Sequence, residues 1–124
     1  MTDFLTTQDL LAIAARLGGD ANLRDYGLLD AAAARPQATV LGDDAYPGLD
    51  GKAGALLSSL VRNHALVDGN KRLGWIACRL FLAMNGVRLA FVEDDAYELV
   101  MDVASGRLVD VDKVAAALRG WMPS

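Results

Sequence analysis

The sequence has little cysteine, proline or histidine: one Cys, three Pro and one His in 124 residues. The single cysteine, Cys78, excludes an internal disulfide and a multi-cysteine zinc site, and it is typical of a reducing compartment. The apolar segment 75–84 is short and interrupted by Arg79, so a membrane-spanning helix is excluded there. The first residues do not show a basic stretch followed by an apolar one. We therefore expect a cytoplasmic protein without membrane contact.

Positive charge is also scarce. Twelve Lys and Arg face sixteen Asp and Glu, a net charge of −4, which disfavours direct binding of nucleic acid. Hydrophobic residues make up 53% of the chain and aromatic residues only 6%, so we expect an aliphatic core. At this length, residues 1–124 predict a single domain.

Helical periodicity dominates the sequence, and strand-like alternation is nearly absent. A capping box of Thr6 and Asp9 opens the first predicted helix. A second helix is expected to start near Asp30 and to be disturbed at its end by Pro36. The turn-forming residues of segment 41–51 then predict a surface loop.

Two strongly apolar helices are predicted on either side of a short polar connection. The third helix should cover residues 51–64 and place His64 on its buried stripe. The fourth continues the spacing through Ile76, Leu80 and Met84, with apolar residues around much of its circumference. We therefore expect the fourth helix to be central.

Two further helices complete the predicted fold. Asp94 or Asp95 is expected to cap the fifth helix and Asp110 the sixth, while residues 87–92 suggest a short extended segment. The sequence thus predicts an all-α bundle of about six helices.

The connection at residues 64–72 reads His-Ala-Leu-Val-Asp-Gly-Asn-Lys-Arg and concentrates chemically active groups. Asn70 to Arg72 should form the first turn of a helix, where free N–H groups and the helix dipole attract anions. Cations are mildly unfavourable at that position. Lys71 and Arg72 therefore indicate that an anion such as a polyphosphate binds there.

A polyphosphate usually arrives with Mg²⁺, which prefers one or two carboxylates plus phosphate oxygens, and Asp68 is the carboxylate at hand. Gly69 would let the backbone approach the ligand. His64 could accept a proton from an attacking hydroxyl. The same residues also fit a structural histidine, a helix cap and a solvated face, so spacing alone leaves both interpretations open.

The string resembles the signature of the Fic/Doc superfamily, H-x-F-x-[DN]-[AG]-N-[GK]-R, and Lys71 resembles the death-on-curing (Doc) toxin branch. Segments 26–29, 34–37 and 81–87 are also similar to Doc-like proteins. The resemblance implies an all-helical Fic fold and transfer of the ATP γ-phosphate to a threonine or serine hydroxyl. In this branch the acceptor is a threonine of elongation factor Tu, so translation stops.

The resemblance also implies a role for each matching residue. His64 matches the general base and Asp68 the Mg²⁺ ligand. Five further positions match residues that hold the nucleotide: Gly69, Asn70, Lys71, Arg72 and, less closely, Arg62. The loop at 41–51, with Asp44 and Tyr46, matches the flap that docks the target. Two positions depart from the family: Leu66 replaces a phenylalanine, and the apolar Ile76 stands where a polar nucleotide contact can occur.

Regulation is expected to come from another chain. The inhibitory pattern [ST]-x-x-x-E-[GN] of many Fic proteins is absent from the 124 residues. The resemblance instead implies a small Phd-like antitoxin whose C-terminal segment folds onto the toxin. Two other interpretations stay open: a Fic-type AMP transferase, and a catalytically silent Fic-fold protein that binds an antitoxin or acts as a co-repressor.

Overall fold

A computed structural model describes residues 1–18 and 22–123 of the chain. In these residues the fold is mostly α, as the sequence predicts, with six α-helices, one turn of 3₁₀ helix and a two-stranded sheet. The helices are α1 Thr7–Gly18, α2 Tyr26–Ala34, α3 Leu49–Arg62, α4 Asn70–Met84, α5 Glu93–Ala104 and α6 Val111–Arg119. The 3₁₀ helix is Arg35–Gln37, and the strands are β1 Thr39–Val40 and β2 Asp43–Asp44.

The central helix is α3, not α4 as the sequence predicted. Every α3 residue from Lys52 to Val61 is buried, and α2, α4, α5, α6 and the 3₁₀ helix all pack around it. Small residues at many α3 positions let these neighbours approach on all sides. By contrast, Ile76, Leu80 and Met84 of α4 are 38%, 41% and 39% exposed, although their spacing predicted burial.

Local signals explain three of the helix starts, those of α1, α2 and α6. The capping box is confirmed, with Thr6 N donating to Asp9 Oδ2 at 2.8 Å and Asp9 N donating to Thr6 Oγ1 at 3.1 Å. Asp110 caps α6 as predicted. The expected start of the second helix was wrong: α2 begins at Tyr26, four residues before Asp30, because Asp25 accepts from Leu28 N and caps it there.

Three other boundaries also differ from the prediction. The third helix runs from Leu49 to Arg62 and ends before His64, which is exposed instead of lying on the buried stripe. Neither Asp94 nor Asp95 caps α5: both lie in its first turn, after Val92 at the cap position. Residues 87–92 form an irregular connection.

The predicted surface loop contains a β-hairpin. β1 and β2 pair antiparallel in the register Thr39↔Asp44 and Val40↔Asp43. The two turn residues, Leu41 and Gly42, have φ of 52° and 86°, as the tight turns that favour hairpins require. Helix α3 then starts at Leu49, so the irregular part of the loop is shorter than expected.

Two further expectations concern the membrane and the cysteine. Within the described residues, no helix combines the length and the hydropathy that a bilayer crossing demands. Cys78 is buried in α4, and this burial raises the pKa of its thiol to about 12. A thiol in that environment behaves as a small apolar side chain.

Gly74 sets the distance between α3 and α4. A Cβ atom at this position would lie 2.6 Å from Val61 Cγ2 and 3.4 Å from Leu57 Cδ1. We expect Gly74→Val to lower the free energy of unfolding by about 1–3 kcal/mol through overpacking. Gly120→Val is the matched control, because its Cβ would make only ordinary contacts. Equal denaturation midpoints for the two variants would contradict this account of the α3–α4 packing.

Candidate functional site

The loop between α3 and α4 is held by a short upstream segment. Leu23 and Leu66 form an isolated antiparallel bridge. Ala65 O accepts from Arg24 N at 2.8 Å and from Asp25 N at 2.9 Å. Val67 N donates to Asn22 O at 2.7 Å. The motif loop is therefore tied to residues 40 or more positions earlier in the chain.

Leu66, which replaces the family phenylalanine, anchors the same loop in the hydrophobic core. Its side chain is 1% exposed and belongs to the hydrophobic core. The shorter aliphatic side chain therefore fills the buried position at the centre of the motif. Its backbone is the part that pairs with Leu23.

His64 has an unusual backbone conformation. Its φ is +55°, in the left-handed region that residues with a side chain rarely occupy. Its carbonyl oxygen accepts a hydrogen bond from Arg24 Nε at 2.8 Å. The residue is exposed, so the imidazole is accessible to a substrate. A conformation of this kind costs about 1–3 kcal/mol and persists only where surrounding contacts impose it.

The side chain of Asn70 joins the loop to the first residue of α4. Asn70 Oδ1 accepts from Leu66 N, and Asn70 Nδ2 donates to Leu66 O, both at 3.0 Å. Asn70 is buried, so these bonds are shielded from water. The predicted nucleotide contact of this residue stays a prediction, with the carboxamide engaged in holding the loop.

Asp68 and Gly69 form the turn into α4. Asp68 N donates to the side chain of Asn22 at 3.0 Å, and Asp68 Oδ1 accepts from Gly69 N at 2.8 Å. The carboxylate is exposed and directed by this turn. Gly69 is the N-cap residue with φ +89°, and a Cβ there would lie 3.5 Å from Arg72 Nη2. Glycine at 69 thus permits the left-handed backbone of the turn, while a Cβ there would make only ordinary contact with the guanidinium.

The start of α4 presents donors and positive charge together. The first intrahelical bond runs from Leu73 N to Gly69 O at 2.8 Å, so the preceding amides point out of the helix end. Lys71 and Arg72 are exposed beside them. Both line a groove of about 250 Å³ between α4 and α5, whose other walls include Trp75, Tyr97 and Met101. A cationic helix end therefore adjoins an aromatic and apolar groove.

Arg62, at the C-terminal end of α3, contacts the C-terminal end of α5. Its Nη1 donates to Val103 O at 2.9 Å, and its guanidinium approaches Gly106 at the C-terminal end of α5. There it satisfies a carbonyl of the last helical turn. Nucleotide binding by Arg62 stays a prediction without a supporting contact.

The hairpin is fixed at its base and free at its tip. Lys52, buried in α3, donates to Asp44 Oδ2 at 3.3 Å and to the carbonyls of Tyr46 and Pro47. Arg35 Nε donates to the Tyr46 hydroxyl at 3.1 Å. Leu41 at the tip is fully exposed. Asp44 and Tyr46 therefore position the hairpin, and its exposed strand edges are available to another chain.

Sequence reasoning missed Asn22, Arg24 and the groove residues of α5. Asn22 and Arg24 carry no motif and lie far from the loop in sequence, so no local pattern could connect them to it. Tyr97 lines the groove only because α5 packs beside α4, which no local pattern predicts.

Comparison with known proteins shows the family to which this chain belongs. Residues 4–82 match the model of the Fic/DOC family, which is more than half of the chain. The chain therefore belongs to the Fic/Doc family. It is also 56% identical over 124 residues to Toxin Doc of Mycolicibacterium smegmatis, covering 98% of this chain and 95% of that protein.

We expect Asn70→Ala to destabilise the motif loop, because Leu66 would lose both partners while remaining buried. An unmade buried hydrogen bond costs about 1–3 kcal/mol. Chemical denaturation should show this loss, and amide hydrogen exchange at Leu66 should accelerate. Lys71→Ala, one position away and exposed, should neither lower the stability nor accelerate this exchange. Slow exchange at Leu66 in the Asn70 variant would show that other contacts hold the loop.

Proposed function

We propose that this protein is the toxin of a toxin–antitoxin pair and acts as an ATP-dependent protein kinase. The observation that carries the proposal is the cationic start of α4, directly after an exposed histidine in a loop fixed from both sides. The match to the Fic/DOC family and the similarity to a protein named Toxin Doc support it. The proposed acceptor is a threonine or serine hydroxyl of elongation factor Tu, whose modification would stop translation.

In the proposed reaction His64 takes the proton of the acceptor hydroxyl as its oxygen attacks the γ-phosphorus. The bond from the γ-phosphorus to the bridging oxygen breaks, and ADP leaves. The amides at the start of α4, together with Lys71 and Arg72, would hold the phosphate oxygens and offset their charge. Positioning of the acceptor and phosphate supplies most of the catalysis in phosphoryl transfer.

The residues present fit a magnesium ion bound together with phosphate. The described part of the chain holds no group of three or more His, Cys, Asp or Glu side chains suited to a metal. Asp68 instead offers one exposed carboxylate next to the phosphate-binding amides, the arrangement that Mg²⁺ with a nucleotide prefers. When bound, the ion would neutralise phosphate charge.

Lys71 is the residue that favours phosphate transfer over AMP transfer. A glycine there would leave room for a triphosphate to lie along the helix end with its α-phosphorus facing the acceptor. The lysine side chain occupies that room and adds a charge next to Arg72. We infer that it selects the reversed orientation, in which the γ-phosphorus faces His64. The groove lined by Trp75 and Tyr97 would then accommodate a less charged part of the ligand.

Isotope labelling distinguishes the proposed reaction from its alternatives. Elongation factor Tu incubated with this protein and ATP should acquire label from the γ-position and none from the α-position. His64→Ala should abolish the transfer. Label from the α-position would overturn the kinase proposal in favour of AMP transfer. A wild-type protein that transfers neither label would leave the silent antitoxin-binding or co-repressor interpretation.

Thermal unfolding provides the control for nucleotide binding. ATP with Mg²⁺ should raise the Tm of the wild type and of His64→Ala, since binding to the folded state stabilises it. Asp68→Ala should lose most of this shift. Glu98→Ala, which removes an exposed carboxylate from α5, should retain it.

A partner antitoxin fits an apolar groove between α1 and α4. The groove has a volume of about 500 Å³ and is lined by Leu5, Ile13 and Leu17 on one side and by Ile76, Leu80 and Met84 on the other. The last three recur every four residues, the spacing that an amphipathic helix can follow. Because the chain has no inhibitory motif of its own, we propose that a helix of a Phd-like antitoxin occupies this groove.

We expect Leu80→Glu to weaken inhibition by the antitoxin without removing toxicity. The added carboxylate would be buried against an apolar helix face, which is unfavourable by several kcal/mol. Co-expression should then arrest growth with Leu80→Glu but not with the wild type or with Arg88→Glu, an exposed control. Full rescue of Leu80→Glu by the antitoxin would place its binding site elsewhere.

A further inference from the structure

Among the described residues, Arg24 is the only one whose side chain forms a hydrogen bond with His64. It lies 40 positions upstream, and its Nε donates to the His64 carbonyl oxygen at 2.8 Å. We propose that Arg24 is a positioning residue that holds His64 in its left-handed conformation and so directs the imidazole toward the acceptor hydroxyl. The reaction in this inference is the phosphoryl transfer proposed above.

The unusual backbone of His64 is what makes a restraint necessary. A φ of +55° is unfavourable for a residue with a side chain, so a free loop would leave this conformation most of the time. A hydrogen bond from a charged donor is stronger than one between neutral groups, so it acts against this conformational cost. We therefore expect loss of this bond to shift the His64 backbone away from its left-handed conformation.

The Arg24 side chain acts separately from the backbone hydrogen bonds that tie the motif loop to residues 22–25. The loop is tied at Ala65 by the backbone amides of Arg24 and Asp25, and at Val67 by the carbonyl of Asn22. These bonds do not involve the Arg24 side chain and survive its removal. Arg24 is also exposed, so shortening it leaves no buried cavity. Substitution thus releases His64 while the loop keeps its other anchors.

A guanidinium is well suited to this role. Its Nε–H lies in the plane of a rigid fork, so one bond fixes the orientation of the whole group. A lysine at the same position keeps the charge but donates from a flexible tip. We therefore expect restraint of His64 to decrease in the order arginine, lysine, alanine at position 24.

The test compares Arg24→Ala and Arg24→Lys with the wild type and with the exposed control Arg88→Ala. The sequence has one histidine, so NMR shows a single imidazole signal. The amide–Hα coupling of His64 reports its φ. We expect the imidazole signal and the amide–Hα coupling of His64 to change most in Arg24→Ala, less in Arg24→Lys and not in the control. With ATP and the acceptor protein, kcat for Arg24→Ala should fall roughly 10- to 100-fold.

The KM for ATP should stay unchanged, because Lys71 and Arg72 are untouched. Unchanged His64 signals in Arg24→Ala would overturn the inference, and so would altered signals without a loss of kcat. A fall in kcat without any change at His64 would also overturn it. If the wild type transfers no phosphate, the proposed function fails, and the NMR comparison alone decides whether Arg24 sets the conformation of His64.

Discussion

The two hydrogen bonds between the Asn70 carboxamide and the Leu66 backbone are the interaction on which the site depends. A carboxamide offers one donor and one acceptor side by side, which matches the N–H and C=O of a single residue. This pairing turns the first side chain of α4 back onto the loop, so it is not used to cap the helix. The N-cap residue of α4 is Gly69, which has no side chain to cap the helix, so the amides of the first turn are left free for a ligand.

In this acidic chain, the cations that hold the fold differ from those at the start of α4. Several cations have structural partners: Lys52 and Arg35 fix the hairpin, Arg62 binds a carbonyl at the end of α5, and Arg119 pairs with Asp50. Lys71 and Arg72, by contrast, form no salt bridge within residues 1–18 and 22–123. Their charge at a helix start is unfavourable for the fold by itself, and an anion such as the proposed nucleotide would offset it.

Local signals in the sequence were sufficient for the number of helices and for two of their caps, but not for every boundary or for the packing. The Thr6–Asp9 capping box and the Asp110 cap depend on residues three or fewer positions apart, and both were predicted correctly. The centrality of α3 depends on small residues along all its faces, which periodicity alone does not reveal. The early end of α3 and the exposure of His64 follow from pairing with residues 22–25, a contact between distant parts of the chain.

Helix α3 connects the two parts of the proposed reaction. Near its start, buried Lys52 fixes the base of the hairpin, and Ser59 near its end accepts from Arg35, which also holds Tyr46. His64 follows two residues after the last residue of α3. A target docked on the hairpin would therefore be held at a distance from the imidazole set by one buried, rigid helix. Since the proposed phosphoryl transfer depends mainly on positioning, this fixed spacing would favour the reaction.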